Sequence, residues 1–225
     1  MPGWYAENIN LQSVLDSNPS LKTLFETGQT NIARGDYIYL PEEKMDSIYF
    51  ILKGKIKLGT YRNAETEVIT AILYEGDVFS ELSILGNHTR NDFAMAMENA
   101  IVVGFTQEKL KSIMADFPEF SVLMMKIMSE RVTEMHERLE SLIFMDSQSR
   151  IIDFLVKSVE KRGHRMGYEW VLRNFYTHQD IANLTSTSRQ SVTMILNKLR
   201  KDNIIQFDRK RMLIRDLDKL KSLIK

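Results

Sequence analysis

The sequence predicts an α+β chain. A jelly-roll-like β-roll comes first, a long dimerisation helix follows, and a winged helix-turn-helix closes it. Three observations carry that prediction. Short apolar or alternating runs broken by turn residues fill residues 32–105. A narrow 3,4-spaced apolar stripe begins after Pro118. The last third pairs two short amphipathic helices with two short strands. At 225 residues the chain exceeds the ~100–200 of a usual single domain. The expected divisions are residues 1–117 for a β-roll sensor domain with an N-terminal helix, 118–146 for the dimerisation helix and hinge, and 147–225 for the winged helix-turn-helix.

Composition excludes several classes of function. With no cysteine there is no disulfide, thiolate metal site, cysteine-held iron–sulfur cluster or thiol catalysis. No apolar run approaches the ~18 residues of a membrane span, and no charged-then-apolar leader opens the chain. The expectation is a cytoplasmic protein with no membrane partner. No Ser/His/Asp spacing, phosphate-loop signature, dinucleotide fingerprint or clustered His/Glu set is present, so neither catalytic nor metal-ligating residues are expected. The zero net charge hides an asymmetry: residues 147–225 hold 17 Lys+Arg against 8 Asp+Glu, and residues 1–146 hold 13 against 22. A basic C-terminal part beside an acidic N-terminal one points to a polyanionic partner for the former.

The β-roll is read from "YIYL", "SIYFILKGKIKLGTY", "VITAILYEGD" and "FAMAMENAIVVGF", punctuated by Gly35, Gly54, Gly76 and Gly86. "KGKIKL" alternates cleanly, so one face is solvated. The long helix opens at Pro118, where the missing N–H costs little. Met125, Met128, Val132, Met135, Leu139 and Leu142 then recur at steps of 3 and 4, a heptad seam. Such a stripe can lie on its own domain or pair with a second copy. Lys126, Glu130, Arg131, Glu134, Glu137, Arg138 and Glu140 crowd the other faces, and a narrow stripe on a charged helix favours a homodimer.

In the basic third, Thr177 and Asp180 approximate a capping box that opens a short helix with Ile181, Ala182 and Leu184 inward. "TSTS" is a polar turn, and Thr187 or Ser188 can cap a second helix whose buried face is Val192, Ile195, Leu196 and Leu199. "NIIQF" and "RMLIR" read as strands around a basic turn at 208–211. That is a winged helix-turn-helix, and double-stranded DNA is its expected partner. Arg189, in the first turn of the second helix, suits bidentate contact with a guanine. Thr177, Ser188, Gln190, Thr193, Lys198, Arg209 and Lys210 complete the expected DNA-binding set, with Arg200, Lys201 and Arg211 adding charge that positions without specifying.

Taken together, the chain resembles the cyclic-AMP receptor protein / fumarate–nitrate regulator (Crp/Fnr) superfamily of bacterial transcription regulators. The match lies in "IANLTSTSRQSVTMILNKLRKDNII", in "GDVFSELSIL" and in the helix ending "LIFMDSQSRI", and "SRQ" is most similar to the carbon-monoxide-sensing branch. The resemblance implies a cyclic-nucleotide-binding-domain-like sensor, a homodimer, a palindromic DNA site, RNA polymerase as a further partner and a small-molecule effector of unknown identity. It also implies an effector pocket containing Glu81, Leu82, Arg90, Asn91, Met135 and His136. There Glu81 matches the family's ribose carboxylate, and Arg90 its phosphate arginine at a spacing one residue shorter.

The departures matter more than the matches. Ser80 stands where the family has a glycine and Asn91 where it has a serine. Asp92 adds a negative charge beside the phosphate position, and Met135 and His136 replace hydroxyls that face the adenine. Cyclic AMP is therefore not expected, since each lost polar partner costs ~1–3 kcal/mol. Glu81 and Arg90 can instead close into an internal ion pair. The alternatives are a haem- or gas-sensing regulator of the same architecture, with His88, His136, His164 and His178 as the available imidazoles, and a cyclic-nucleotide-type regulatory module that docks on a protein, against which the basic winged tail argues; otherwise no cofactor is expected. In the second helix Gln190 replaces a common glutamate and Met194 a base-contacting arginine, so the preferred DNA site differs from that of the cyclic-AMP receptor.

Overall fold

The computed structural model describes residues 9–63, 66–85, 88–173, 175–208 and 211–224. It divides into two compact units, Met1–Thr133 and Glu134–Lys225.

In the first unit, α1 (Leu11–Ser17) and α2 (Pro19–Thr27) precede the strands. Asn10 caps α1 by accepting from Ser13 N–H, and Pro19 takes the tolerant first position of α2. Among the described residues ten strands follow: β1 (Gln29–Ile32), β2 (Tyr37–Tyr39), β3 (Lys44–Met45), β4 (Ser47–Lys53), β5 (Lys55–Asn63), β6 (Thr66–Tyr74), β7 (Val78–Phe79), β8 (His88–Thr89), β9 (Phe93–Ala96) and β10 (Ala100–Thr106). A 3₁₀ turn, Glu81–Leu85, separates β7 from β8. The strands form two antiparallel four-stranded sheets, ordered β1-β10-β4-β7 and β2-β9-β5-β6, with β3 and β8 as a separate pair. This is the β-roll.

Two cores hold it. Ile48, Phe50, Val103 and Phe105 from the first sheet pack with Leu21 and Phe25 of α2 and with helical residues further on. Tyr39, Ile51, Ile56, Leu73, Phe79 and Val102 fill the space between the sheets. Gly54 makes the β4–β5 turn at φ +93°, and a Cβ there would lie 2.9 Å from the Ala100 backbone. Glycine is required at that position on both counts.

α3 (Gln107–Asp116) leads into α4 (Pro118–Phe144), the expected long helix. Phe120, Leu123 and Met124 are buried in the first unit. Met128 is half-buried against the same core, so this seam position is partly used within its own domain. Met125, Val132, Met135, Leu139 and Leu142 instead expose 42–61% of their surface.

In the second unit, α5 (Ser147–Arg162) is capped by Asp146, which accepts from Ser149 N–H at 2.7 Å. Ile151, Ile152, Leu155, Val156 and Val159 make its buried face. Next come β11 (His164–Met166), β12 (Glu169–Arg173), α6 (His178–Leu184), α7 (Arg189–Lys201), β13 (Ile205–Phe207), β14 (Arg211–Ile214) and α8 (Leu217–Lys221). The sheet β11-β12-β14-β13 has four strands, where the sequence pattern predicts only β13 and β14. The missed hairpin turns at Gly167, φ +63°, inside a polar run too short to show a period. Two ion pairs, Glu137–Lys157 at 2.7 Å and Glu134–Lys161 at 3.0 Å, join the last turns of α4 to α5. Among the described residues no helix is long and apolar enough to cross a membrane.

Candidate functional site

The helix-turn-helix is built from its caps inward. Thr177 and Asp180 form the expected capping box: Asp180 N–H donates to Thr177 Oγ1 at 3.1 Å, and Thr177 N–H to Asp180 Oδ2 at 3.0 Å. Ser188 caps α7, accepting from Ser191 N–H at 3.0 Å. Val192, Ile195, Leu196 and Leu199 are buried, as their spacing implied. Burying that stripe fixes what faces outward: Arg189, Gln190, Met194, Asn197, Lys198 and Lys201 are exposed on the opposite side. An alanine at Ser188 removes the cap, and the expected cost is about 1 kcal/mol, a fall of roughly 4–8 °C in the melting of a unit this size. Calorimetric melting checks it; an unchanged transition would show that the cap contributes nothing.

Thr193 is less available than the sequence suggested. It is half-buried, its hydroxyl donates to the Arg189 carbonyl at 2.9 Å, and the same oxygen lies 2.8 Å from His178 Nδ1. Arg200 is partly committed too, bonded to Asn197 at 2.9 Å and placed over the Phe207 ring. On the wing, Arg211 pairs with Asp208 at 3.4 Å. Arg209 and Lys210 lie outside the described residues.

Sequence reasoning missed Arg150. Its Nη1 donates to the Met145 carbonyl at 2.8 Å, its Nε to the Thr185 carbonyl at 3.0 Å and its Nη2 to the Ser186 carbonyl at 3.3 Å. One guanidinium thereby ties the segment between α4 and α5 to the turn of the helix-turn-helix. A lone arginine on an amphipathic helix carries no signal of that role.

The sensor cassette departs from expectation in a specific way. Ser80 adopts φ +62°, which explains why a glycine suits this place. Its hydroxyl donates to the Ser47 carbonyl at 2.8 Å and accepts from Arg90 Nη1 at 2.6 Å. Arg90 is only 2% exposed, and its guanidinium lies 3.7 Å from the Tyr39 ring centre. Its Nε is buried with no partner. The expected Glu81–Arg90 ion pair is not formed. Glu81 pairs instead with Arg131 of α4 at 3.3 Å, and Arg131 also donates to the Val78 carbonyl. The reason is geometric: the 3₁₀ turn carries Glu81 toward α4, while β8 leads Arg90 inward under Tyr39.

Leu82 and Asn91 are exposed in the first unit, and Met135 and His136 are exposed on α4. Asp92 is half-buried and accepts from the Tyr39 hydroxyl at 3.3 Å. Burial pushes the Asp92 carboxyl above its ordinary range, against the Tyr39 bond and the Arg90 charge. Burial also raises the Tyr39 phenol, with the Asp92 charge adding to it. Among the described residues no three His, Asp or Glu side chains cluster as metal ligands. His164 and His136 are exposed, and His178 is bonded to Thr193.

Comparisons with known proteins divide along the same lines. Residues 29–117 match the cyclic nucleotide-binding domain family, and residues 149–223 the Crp-like helix-turn-helix domain family. A CRP-like cAMP-activated global transcriptional regulator of Mycobacterium tuberculosis is 28% identical, covering 83% of this chain and 84% of the relative. A global nitrogen regulator of a Nostoc species is 27% identical, covering 92% and 91%. Among solved structures, a double mutant of CooA from Carboxydothermus hydrogenoformans superposes with a TM-score of 0.82 at 23% identity, over 97% of both chains. CprK complexed with OCPA gives 0.74 at 20%, over 91% of this chain and 93% of CprK.

Proposed function

The chain belongs to the Crp/Fnr superfamily of bacterial transcription regulators, and from that premise we propose that it acts as a homodimer on a palindromic DNA site. Its similar relatives are regulators, not enzymes. The observation that carries the proposal is the solvent face of α7, which starts at Arg189 and is held outward by the buried stripe behind it. Arg189 reads a guanine, Gln190 an adjacent base, and Ser188, Lys198 and the wing meet phosphates. The exposed stripe of α4 pairs with its counterpart and sets the two recognition helices about one helical turn, ~34 Å, apart. RNA polymerase is the further partner of such a regulator, and the protein works in the cytoplasm. Gel shifts on pooled genomic fragments test the reading. A subset should stay bound under excess random duplex, and a shift that random duplex competes away completely would contradict it.

The effector is not cyclic AMP. Arg131 already engages Glu81 and Ser80 already engages Arg90, so a cyclic nucleotide would have to break both contacts. The unpaired Nε–H of Arg90 favours an anionic effector smaller than a nucleotide. Titration calorimetry with cyclic AMP should find no saturable site tighter than about 10 μM, roughly −7 kcal/mol. A tighter site would overturn this.

A further inference from the structure

Outside the residues assigned to DNA contact so far, one side chain of the helix-turn-helix has the geometry of a proton-linked contact. Thr193 Oγ1 has a single hydrogen, and it is given to the Arg189 carbonyl at 2.9 Å. We assign the proton of the 2.8 Å contact between the same oxygen and His178 to Nδ1, the tautomer compatible with the hydroxyl donating to that carbonyl. In the neutral ring Nε2 is then the unprotonated nitrogen. It has no hydrogen-bond partner among the described residues and is not one of the buried orphan atoms, so it reaches solvent.

Among the described residues no carboxylate acts on the ring. From α7 the ring faces Arg189 and Thr193, and from β13 it meets the Phe207 ring edge-on, centroids 5.9 Å apart. On its own helix, Asp180 is turned to the Thr177 N–H. Burial, followed by the Arg189 charge, holds the imidazole below its ordinary range, so the free protein carries it neutral near pH 7.

The first helix of a docked helix-turn-helix crosses the DNA backbone. We propose that His178, at the start of that helix, contacts a phosphodiester oxygen through Nε2 and takes up a proton from solution as the duplex docks. The proposal rests on the DNA-binding reading above. The step balances: neutral imidazole plus one solvent proton gives imidazolium, whose two N–H groups then serve Thr193 and the phosphate. No charge-assisted bond is available to the neutral ring, because an unprotonated Nε2 faces an acceptor. Thr193 thereby takes a role different from base contact, orienting the ring that reads the backbone.

The sign follows. A neighbouring phosphate raises the imidazole's affinity for a proton in the complex above that in the free protein. The extra DNA affinity is complete below the free-protein value and is lost as pH rises through the value in the complex. Each unit of separation is worth about tenfold in affinity per half-site.

The test uses the full chain and a random-sequence duplex pool, since a backbone contact needs no particular sequence. Titration calorimetry near pH 7 in two buffers of different ionisation enthalpy reads protons taken up per protomer. The wild type should take up a measurable fraction. His178→Asn keeps an N–H donor toward Thr193 but cannot titrate, so that uptake should vanish and the affinity should stop rising from about pH 8 to about pH 6. His178→Arg should bind at both ends of that range without uptake. Zero uptake by the wild type, or equal uptake by wild type and His178→Asn, overturns the proposal while leaving DNA binding intact. No binding by any of the three proteins at any pH would instead refute the DNA-binding reading itself.

Discussion

Replacing Arg189 with alanine should abolish sequence preference while leaving weak, salt-sensitive binding to any duplex. Arg189 is exposed in the first turn of α7, and Val192, Ile195, Leu196 and Leu199 are buried behind it. Its guanidinium is therefore free to bond both acceptors of a guanine, worth ~1–3 kcal/mol, or roughly 5- to 150-fold per half-site. Two half-sites act together in a dimer, so the loss should be felt twice. The fold should survive, because the side chain makes no hydrogen bond or ion pair within the described residues. Fluorescence anisotropy on specific and random duplexes at several salt concentrations reads both parts of the effect. The specific-to-random ratio should collapse toward one, with the salt slope nearly unchanged because the phosphate contacts remain. If the ratio survives and every site weakens equally, Arg189 is a phosphate contact and the base reader lies elsewhere.

The second large effect concerns assembly. Met135→Lys combined with Leu139→Lys should yield monomers in sedimentation and weaken operator binding more than either change does alone. Both side chains are more than half exposed on α4, so neither substitution disturbs a core within the chain. In a paired seam, however, the two lysines would bury like charges opposite their counterparts. Met128 is a poorer choice despite its place in the heptad. It is half-buried against the β-roll core, so a lysine there would mix unfolding with dissociation. A double variant that sediments as a dimer would show that the stripe serves some other surface.

The helix-turn-helix was legible almost in full, because local signals determine it. Thr177, Asp180 and Ser188 are caps acting over three residues, and the buried stripe of α7 repeats at helical spacing. The β-roll was legible as strands but not as an arrangement. Nothing local reveals that β10 pairs with both β1 and β4, since that register depends on contacts distant in sequence.

The cassette shows the same limit at the level of side chains. Glu81 and Arg90 looked like mutual partners because they are close in the chain. Each found a partner far along it: Arg131 on α4 for the carboxylate, and Ser47 and Tyr39 for the guanidinium. Ser80 could be recognised as a substituted glycine, but not as the hydroxyl that closes over Arg90. The positive φ at which it does so is a tertiary constraint, imposed on a residue that would not choose it alone.

The proposed regulator is a dimer that reads a palindrome and whose cassette is closed to cyclic AMP. Selection from a randomised duplex library by the full-length protein, run in parallel with and without cyclic AMP, tests both halves in one measurement. The expected result is a two-fold symmetric motif with half-site centres about 10–10.5 base pairs apart, containing a guanine in each half and identical in the two arms. Enrichment of no motif, or of a motif only in the cyclic-AMP arm, would contradict it.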